Sequence, residues 1–333
     1  MALSRVAEAV AVQEQTQVAQ ARRTGAALAR ALGFDEDRAG RLAVVVTESA
    51  TNLLRHAGGG QIVLRAVTDD GAAAVEVLAL DHGPGITNVA RCFEDGYSTA
   101  GGAGTGLGAM RRLSTLFDFY TRQGGGTAIL SRVGNGPARR GLVVEGICLA
   151  APGERIAGDA WAEETRPDGV AIVVADGLGH GPGAAEAADA AVAAFRAARG
   201  QSPARRLEAI HQATRATRGA AVAVADLDRA RRVVRFAGVG NVGALMVDGD
   251  RARWLLSHNG TVGHAVRKIE EFTLPWPAHA ALLMYTDGLG TPRELGAYPG
   301  LIDRHPSLVA GVLWRDLARG RDDVTVVVAK EAA

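Results

Sequence analysis

The sequence predicts an α+β protein of two domains, and three observations support this. Its 333 residues exceed the roughly 100–200 residues of one ordinary domain. Helix-like apolar periods dominate residues 12–57, whereas many short β runs follow residue 143. Between them, residues 136–141 combine Gly, Pro and Arg without any apolar period, which is typical of a linker. We therefore predict one domain over residues 1–135 and a second over 142–333.

The charge balance excludes several classes of function. With 37 Lys and Arg against 36 Asp and Glu, the net charge is +1, so neither a nucleic-acid-binding face nor a membrane-binding patch is indicated. Cys92 and Cys148 lack the partner spacing of a zinc site or a disulfide framework. The N-terminus does not resemble a secretory signal, and no apolar run approaches the roughly 20 residues of a membrane span. We expect a cytoplasmic protein with neither nucleic acid nor membrane as partner.

The elements of the two halves follow from periodicity and turn signals. In the first half we predict helices over 12–32, 35–57 and near 107–116, and a hairpin of strands 61–67 and 73–79. In the second half we predict helices over 184–198 and 204–218 among eight short strands. The stretch Gly238-Val-Gly-Asn-Val-Gly243 matches a dinucleotide-binding motif, but β residues follow it, so we predict a turn within a sheet.

Four segments of the first half contain residues suited to nucleotide binding. Glu48 and Asn52 lie one helical turn apart, where a carboxylate can accept a proton and an amide oxygen can ligate Mg²⁺. By spacing alone, these two residues are more often part of a solvated stripe. The second segment is Asp81, which follows a strand and is followed by Gly83 and Gly85. The third is a Gly-rich stretch that leads into a helix, namely Gly104, Thr105, Gly106, Leu107 and Gly108. The fourth is Gly126-Thr127, which precedes a strand.

Each of the three segments has a simpler interpretation, namely a turn or a flexible loop. Glycines before a helix N-terminus nevertheless present N–H groups to a phosphate. A Rossmann-type site is disfavoured, because a long loop rather than a strand precedes Gly104.

In this order, the four segments resemble the GHKL ATPases with the Bergerat α/β sandwich, above all the small anti-sigma-factor and stress-switch serine kinases. The resemblance covers roughly residues 5–133. It implies that Asp81 binds the adenine amino group, that Asn52 ligates Mg²⁺ and that Glu48 is the base acting on the acceptor hydroxyl. ATP and Mg²⁺ are the implied cofactors, and the loop 95–108 would cover the phosphates. The implied target is a Ser or Thr of a STAS-domain protein.

The second half places acidic residues at the ends of apolar strands. Asp176 and Gly177 follow the run 170–175, and Asp287 follows 281–285. Asp322 and Asp323 precede the run 324–328, and Asp159 follows a Gly turn. Each Asp-Gly alone is more often an ordinary turn. Several carboxylates at one edge of a sheet, however, repel one another unless divalent cations lie between them. Oxygen ligands of this kind suit Mg²⁺ or Mn²⁺.

This half, over about 142–330, resembles the PPM-type metal-dependent Ser/Thr phosphatases of the sporulation and stress-response branch, which have an α-β-β-α sandwich. The resemblance rests on Pro152-Gly-Glu154, Asp159 and Asp176-Gly-Leu-Gly-His-Gly181. It implies that Asp176 bridges two Mg²⁺ or Mn²⁺ ions and that the Gly177 carbonyl ligates one. Asp287 and either Asp322 or Asp323 would hold the other ion, with Asp159 contacting the metals through water. Leu178 stands where larger relatives have a His, so whether His180 replaces that His stays open.

Together the two halves predict a bifunctional switch protein. An ATP-dependent serine kinase half and a metal-dependent phosphatase half would act on a STAS-domain phosphoprotein, within a stressosome-like or sigma-factor-regulating complex. An alternative is a phosphatase whose first half only senses nucleotide or sequesters a partner. A scaffold in which both sites have decayed is disfavoured by the intact acidic residues.

Overall fold

The computed structural model describes residues 7–69, 71–88, 92, 106–136, 141–249 and 251–331. Contacts between Cα atoms divide the chain into two compact units. The first contains the chain up to residue 139 and, in addition, residues 303–315. The second contains residues 140–302 and 316–333. None of the described helices is long and apolar enough to cross a membrane.

The first unit contains an antiparallel sheet, one face of which packs against three helices from the N-terminal part of the chain. Its strands are β1 (Glu8–Val12), β2 (Gly60–Asp69), β3 (Ala72–Leu80), β4 (Leu116–Thr121) and β5 (Thr127–Gly134), in the spatial order β1-β2-β3-β5-β4. The helices are α1 (Gln15–Ala31), α2 (Glu36–Asn52) and α3 (Gly106–Leu113). Their apolar faces enclose a core with one face of the sheet, in which Leu42, Val46 and Val75 are fully buried.

Local chemistry explains where α2 begins and ends. The side chain of Asp35 accepts a hydrogen bond from the backbone N–H of Arg38 at 2.9 Å, which caps the helix start. A π-helical turn (Leu53–Ala57) follows α2 and ends at Gly58 with φ +73°, a conformation that glycine adopts without strain. The helix predicted over 12–32 was wrong at its start. Val10 and Val12 are buried and belong to strand β1, a strand too short for its alternation to stand out.

The second unit is a sandwich of two antiparallel five-stranded sheets. The strands are β6 (Leu142–Leu149), β7 (Asp159–Arg166), β8 (Gly169–Gly177), β9 (Ala220–Asp228), β10 (Val233–Val239), β11 (Gly243–Asp248), β12 (Arg251–Leu255), β13 (Phe272–Pro275), β14 (Ala281–Tyr285) and β15 (Val324–Glu331). One sheet has the spatial order β13-β10-β9-β8-β7, and the other has the order β12-β11-β14-β15-β6. Side chains of both sheets interleave in one apolar core that includes Trp161, Phe236 and Met284.

Helices α4 (Pro182–Ala197) and α5 (Pro203–Ala213) cover the outer face of the β13-to-β7 sheet. The helix predicted over 204–218 was too long, because α5 ends at Ala213 and Thr214 is its C-terminal cap, with the backbone N–H and the hydroxyl both donating to the carbonyl of Ile210. The turn predicted at 238–243 is confirmed, since β10 ends at Val239 and β11 begins at Gly243.

Helix α6 (Pro306–Leu317) belongs to the first unit over residues 306–315. Arg65, Glu76 and Arg132 are register partners across β2, β3 and β5. They lie on the sheet face opposite the α1–α2 core, and Ser307 of α6 hydrogen-bonds to all three. Helix α6 therefore covers the second face of the first unit's sheet.

Candidate functional site

The predicted nucleotide-binding residues of α2 lie together at the start of α3. A Cβ built on Gly106 would be 3.4 Å from Oε2 of Glu48 and 3.5 Å from the amide atoms of Asn52. The N-terminus of α3 therefore lies beside the side chains of both Glu48 and Asn52. Leu107 and Gly108 follow in the first turn of α3, whereas Gly104 and Thr105 lie outside the described residues.

Asp81 organises the turn that follows β3. Its Oδ1 atom accepts hydrogen bonds from the backbone N–H of Gly83 at 2.7 Å and of Thr127 at 3.0 Å. The side chain is 9% exposed, and these two bonds leave Oδ2 available to a ligand. The structure therefore brings together Asp81, Gly83 and Thr127 from segments 46 residues apart. Their role in adenine binding stays a prediction.

Gly85 and Arg315 complete the surroundings of this turn. Gly85 has φ +79°, and a Cβ there would lie 2.4 Å from the carbonyl oxygen of Arg122, so only glycine fits. Arg315 donates from Nη1 to the carbonyl of Asp81 at 2.7 Å and from Nη2 to that of Gly125 at 3.1 Å. No motif or spacing in the sequence links Arg315 to Asp81 or Gly125, which lie more than 180 positions earlier, so Arg315 was not among the predicted site residues.

The predicted metal ligands lie at one end of the second unit's strands. Asp159 begins β7 and is the register partner of Asp176 in β8. Asp287 follows β14 and Asp322 precedes β15, two strands that are antiparallel neighbours. Strand pairing brings together the carboxylates within each sheet, and the packing of the two sheets, shown by the hydrogen bond from Thr286 to Asp159, brings the two pairs to the same end of the sandwich. Their role as ligands stays a prediction.

The carboxylates raise one another's pKa values. Burial, followed by the nearby charges of Asp287, Asp322 and Asp323, raises the pKa of Asp176 to about 7. Burial and the charge of Asp176 raise the pKa of Asp159 well above its usual range. Burial and the charge of Asp322 also raise the pKa of Asp287. The cluster thus stores electrostatic repulsion that a bound cation would relieve.

This cluster is not a closed metal cage. Among the described residues, no group of three or more His, Cys, Asp or Glu side chains is arranged so that it could hold a metal ion. The donor set still fits Mg²⁺ or Mn²⁺, because these ions bind oxygen ligands and Mg²⁺ keeps several waters in place of protein atoms. Clustered carboxylates whose pKa values are raised by burial and by one another's charges are groups that such a hydrated ion would stabilise in the ionised form.

Hydrogen bonds distinguish the two consecutive aspartates. Both oxygens of Asp323 are used, since Oδ1 accepts from the N–H of Ala151 and Oδ2 from that of Gly158, each at 2.8 Å. Asp323 is buried, whereas Asp322 is exposed. Asp323 therefore holds the loop that leads to Asp159, and Asp322 is the better placed of the two to bind an ion.

Two further polar residues lie beside the cluster. Asn241 donates from Nδ2 to Oδ2 of Asp287 at 2.5 Å. Sequence analysis missed it, although it lies within the glycine motif that was assigned to a turn. His180 lies with Nδ1 3.0 Å from Oε1 of Glu154. Burial raises the pKa of Asp323, although the backbone hydrogen bonds from Ala151 and Gly158 act to lower it.

Comparison with known proteins supports both domain types. Residues 11–132 match the model of the histidine kinase-like ATPase domain, and residues 166–331 match that of stage II sporulation protein E. The serine/threonine-protein kinase RsbT of Bacillus subtilis is 36% identical over 120 residues, which are 36% of this chain and 90% of RsbT.

Solved structures resemble part of the chain as well. One solved structure, described as the bacterial stressosome, a modular system adapted to control secondary messenger signalling, is 25% identical to this chain. Its TM-score is 0.53, and the match covers 57% of this chain and 99% of the chain in that structure. RsbX in complex with magnesium is 20% identical, with a TM-score of 0.53 over 58% of this chain and 97% of its own. The RsbX likeness shows the fold alone.

Proposed function

We propose that the chain is a bifunctional switch enzyme. Its residues 11–132 belong to the histidine kinase-like ATPase family, and residues 166–331 form a SpoIIE-type phosphatase domain. The N-terminal domain would phosphorylate a Ser or Thr of a STAS-domain protein with ATP and Mg²⁺. The C-terminal domain would remove phosphate from a protein of the same complex with two Mg²⁺ or Mn²⁺ ions. The proposal rests on where two sets of side chains lie. Glu48 and Asn52 lie together beside Gly106, and the aspartates lie together at one end of the sandwich.

In the kinase domain, each gathered residue has a distinct task. Oδ2 of Asp81 would accept a hydrogen bond from the adenine amino group, and the side-chain oxygen of Asn52 would ligate Mg²⁺. Glu48 would take the proton of the acceptor hydroxyl as that hydroxyl attacks the γ-phosphorus, the bond from the γ-phosphorus to the β–γ bridging oxygen breaks, and ADP leaves. The N-terminal N–H groups of α3 favour the negative charge of the phosphates.

In the phosphatase domain, Asp176, Asp287, Asp322 and the carbonyl of Gly177 would hold the ions, and Asp159 would hold their waters. Bound ions supply a deprotonated water and stabilise the charge of the phosphoryl group. The chain's own residues fix these ligands: the hydroxyl of Thr286 donates to Oδ2 of Asp159 at 2.7 Å. Asn241 fixes Asp287 in the same way.

The kinase proposal is tested with ATP, Mg²⁺ and a STAS-domain protein from the same operon or complex. We expect phosphate transfer by the wild type, a loss of at least about 100-fold in Glu48→Gln, and near-normal ATP binding in that variant. Glu36→Gln, at the exposed start of the same helix, is the matched control. Binding without transfer by the wild type would overturn the kinase assignment.

That last result would favour the alternative, in which the first half senses nucleotide for the phosphatase. The contact of Arg315 with the Asp81 carbonyl favours this alternative, because Arg315 comes from the part of the sequence that matches the phosphatase family. The phosphatase itself is tested by Mn²⁺-dependent hydrolysis of p-nitrophenyl phosphate and of a phosphoserine peptide. Asp176→Asn should abolish hydrolysis, and Asp168→Asn, at the opposite end of the same two strands, should not.

A further inference from the structure

The first unit contains a segment from the far end of the sequence. Residues 303–315 lie within the match to the phosphatase family, yet they pack with the N-terminal domain. The hydroxyl of Ser307 donates to Oε2 of Glu76 at 2.8 Å and accepts from Arg65 and Arg132 at 3.1 and 3.2 Å. All four residues are buried. This contact fixes helix α6 on the sheet, because each polar group of the network would lose a buried partner if the helix left.

Two turns after Ser307, Arg315 reaches the turn that carries the predicted adenine ligand. Its guanidinium donates to three carbonyls: those of Asp81 at 2.7 Å, Gly125 at 3.1 Å and Thr127 at 3.4 Å. These carbonyls belong to two segments that also bond to each other. The N–H of Asp81 donates to the Thr127 carbonyl at 3.0 Å, and the N–H of Gly126 donates to the Gly83 carbonyl at 3.1 Å.

The position of the Asp81 carboxylate therefore depends on the two segments that Arg315 joins. Oδ1 is fixed by the N–H groups of Gly83 and Thr127, so the direction of Oδ2 follows from where these backbones lie. The backbone at Gly126, with φ +79°, approaches so closely that a Cβ there would lie 3.0 Å from Nη1 of Arg315. A displacement of one segment against the other would turn Oδ2 away from a bound base.

We infer that Arg315 is a positioning residue of the nucleotide site, which aligns Asp81 for recognition of an adenine amino group. This inference rests on the proposed binding of ATP by the first half. Nucleotide recognition by the N-terminal domain then depends on a side chain that the phosphatase part of the sequence provides. Arg315 touches the backbone of the site and not the nucleotide itself.

The test measures the affinity of the full chain for ADP and for IDP, which lacks the exocyclic amino group, by isothermal titration calorimetry. The wild type should prefer ADP. Arg315→Ala should bind ADP about 3- to 30-fold more weakly, with a much smaller loss for IDP, so the ratio of the two affinities falls. Arg315→Lys, which keeps one charged donor, should recover part of that ratio.

Arg304→Ala is the matched control, since Arg304 lies in the same segment and pairs with Asp118 at 3.4 Å, away from the Asp81 turn. It should leave both affinities at the wild-type values. An unchanged ADP affinity in Arg315→Ala, or equal losses for ADP and IDP, would overturn the inference while ATP binding stands. If the wild type binds neither nucleotide, the proposed ATP site and this inference fall together.

Discussion

Replacing Asp176 with Asn should stabilise the metal-free protein while abolishing its phosphatase activity. Asp176 is mostly buried, and this burial, followed by the charges of Asp287, Asp322 and Asp323, raises its pKa from an ordinary value of 3.8 to about 7. At about 1.4 kcal/mol for each pH unit, that rise corresponds to about 4 kcal/mol of destabilisation once the group is ionised. Because neighbouring carboxylates share the repulsion and relax when it is removed, we expect a gain of about 2–4 kcal/mol in the free energy of unfolding.

The pH dependence has a defined sign. A carboxyl whose pKa is higher in the folded state binds its proton more tightly there, so stability falls as pH rises from about 4 to about 7. Asp176→Asn should therefore match the wild type near pH 4 and exceed it at pH 8. Mn²⁺ should reverse the order at pH 8, because ion binding stabilises the wild type by mass action and the variant lacks a ligand.

The assay is urea unfolding in EDTA at several pH values, followed by tryptophan fluorescence, to which Trp161 and Trp276 in the core between the two sheets contribute. Asp168→Asn serves as the control, since Asp168 is exposed in the hairpin at the opposite end of β7 and β8. If Asp176→Asn in EDTA at pH 8 is no more stable than the wild type, the repulsive cluster is not as the structure indicates.

Three further predictions concern individual side chains of the two units. Glu76→Gln leaves Arg65 and Arg132 charged without the carboxylate that they share. The free energy of unfolding of the first unit, measured in urea, should therefore fall by about 3–5 kcal/mol. A fall of less than about 1 kcal/mol would contradict the buried network. Burial raises the pKa of the Cys148 thiol, so iodoacetamide should alkylate it only after unfolding, as mass spectrometry would show. Asp322→Asn should weaken Mn²⁺ binding in calorimetry at an unchanged melting temperature, whereas Asp323→Asn should lower the melting temperature; the opposite pattern would exchange their roles.

The types of both domains could be predicted from short motifs because each motif carries its own chemistry. Asp81-x-Gly-x-Gly85 and Asp176-Gly-Leu-Gly-His180 combine a carboxylate with glycines that allow sharp turns. The predicted strands at 61–67, 170–175 and 281–285 are confirmed, since each is an apolar or alternating run bounded by turn residues. The strand over Glu8–Val12 could not be found in this way, because only its pairing with β2 distinguishes it from the helix that follows.

The sequence by itself determined the two fold types and the identity of the acids and glycines, since residue type and spacing suffice for a strand, a turn or a ligand. Only the tertiary structure decided which of these residues meet. It made Asp159 the register partner of Asp176, engaged both oxygens of Asp323 with backbone amides and placed Arg315 against the Asp81 carbonyl. Such contacts join positions as many as 234 residues apart, and they arise from strand pairing and helix packing, which no local pattern in a single sequence records.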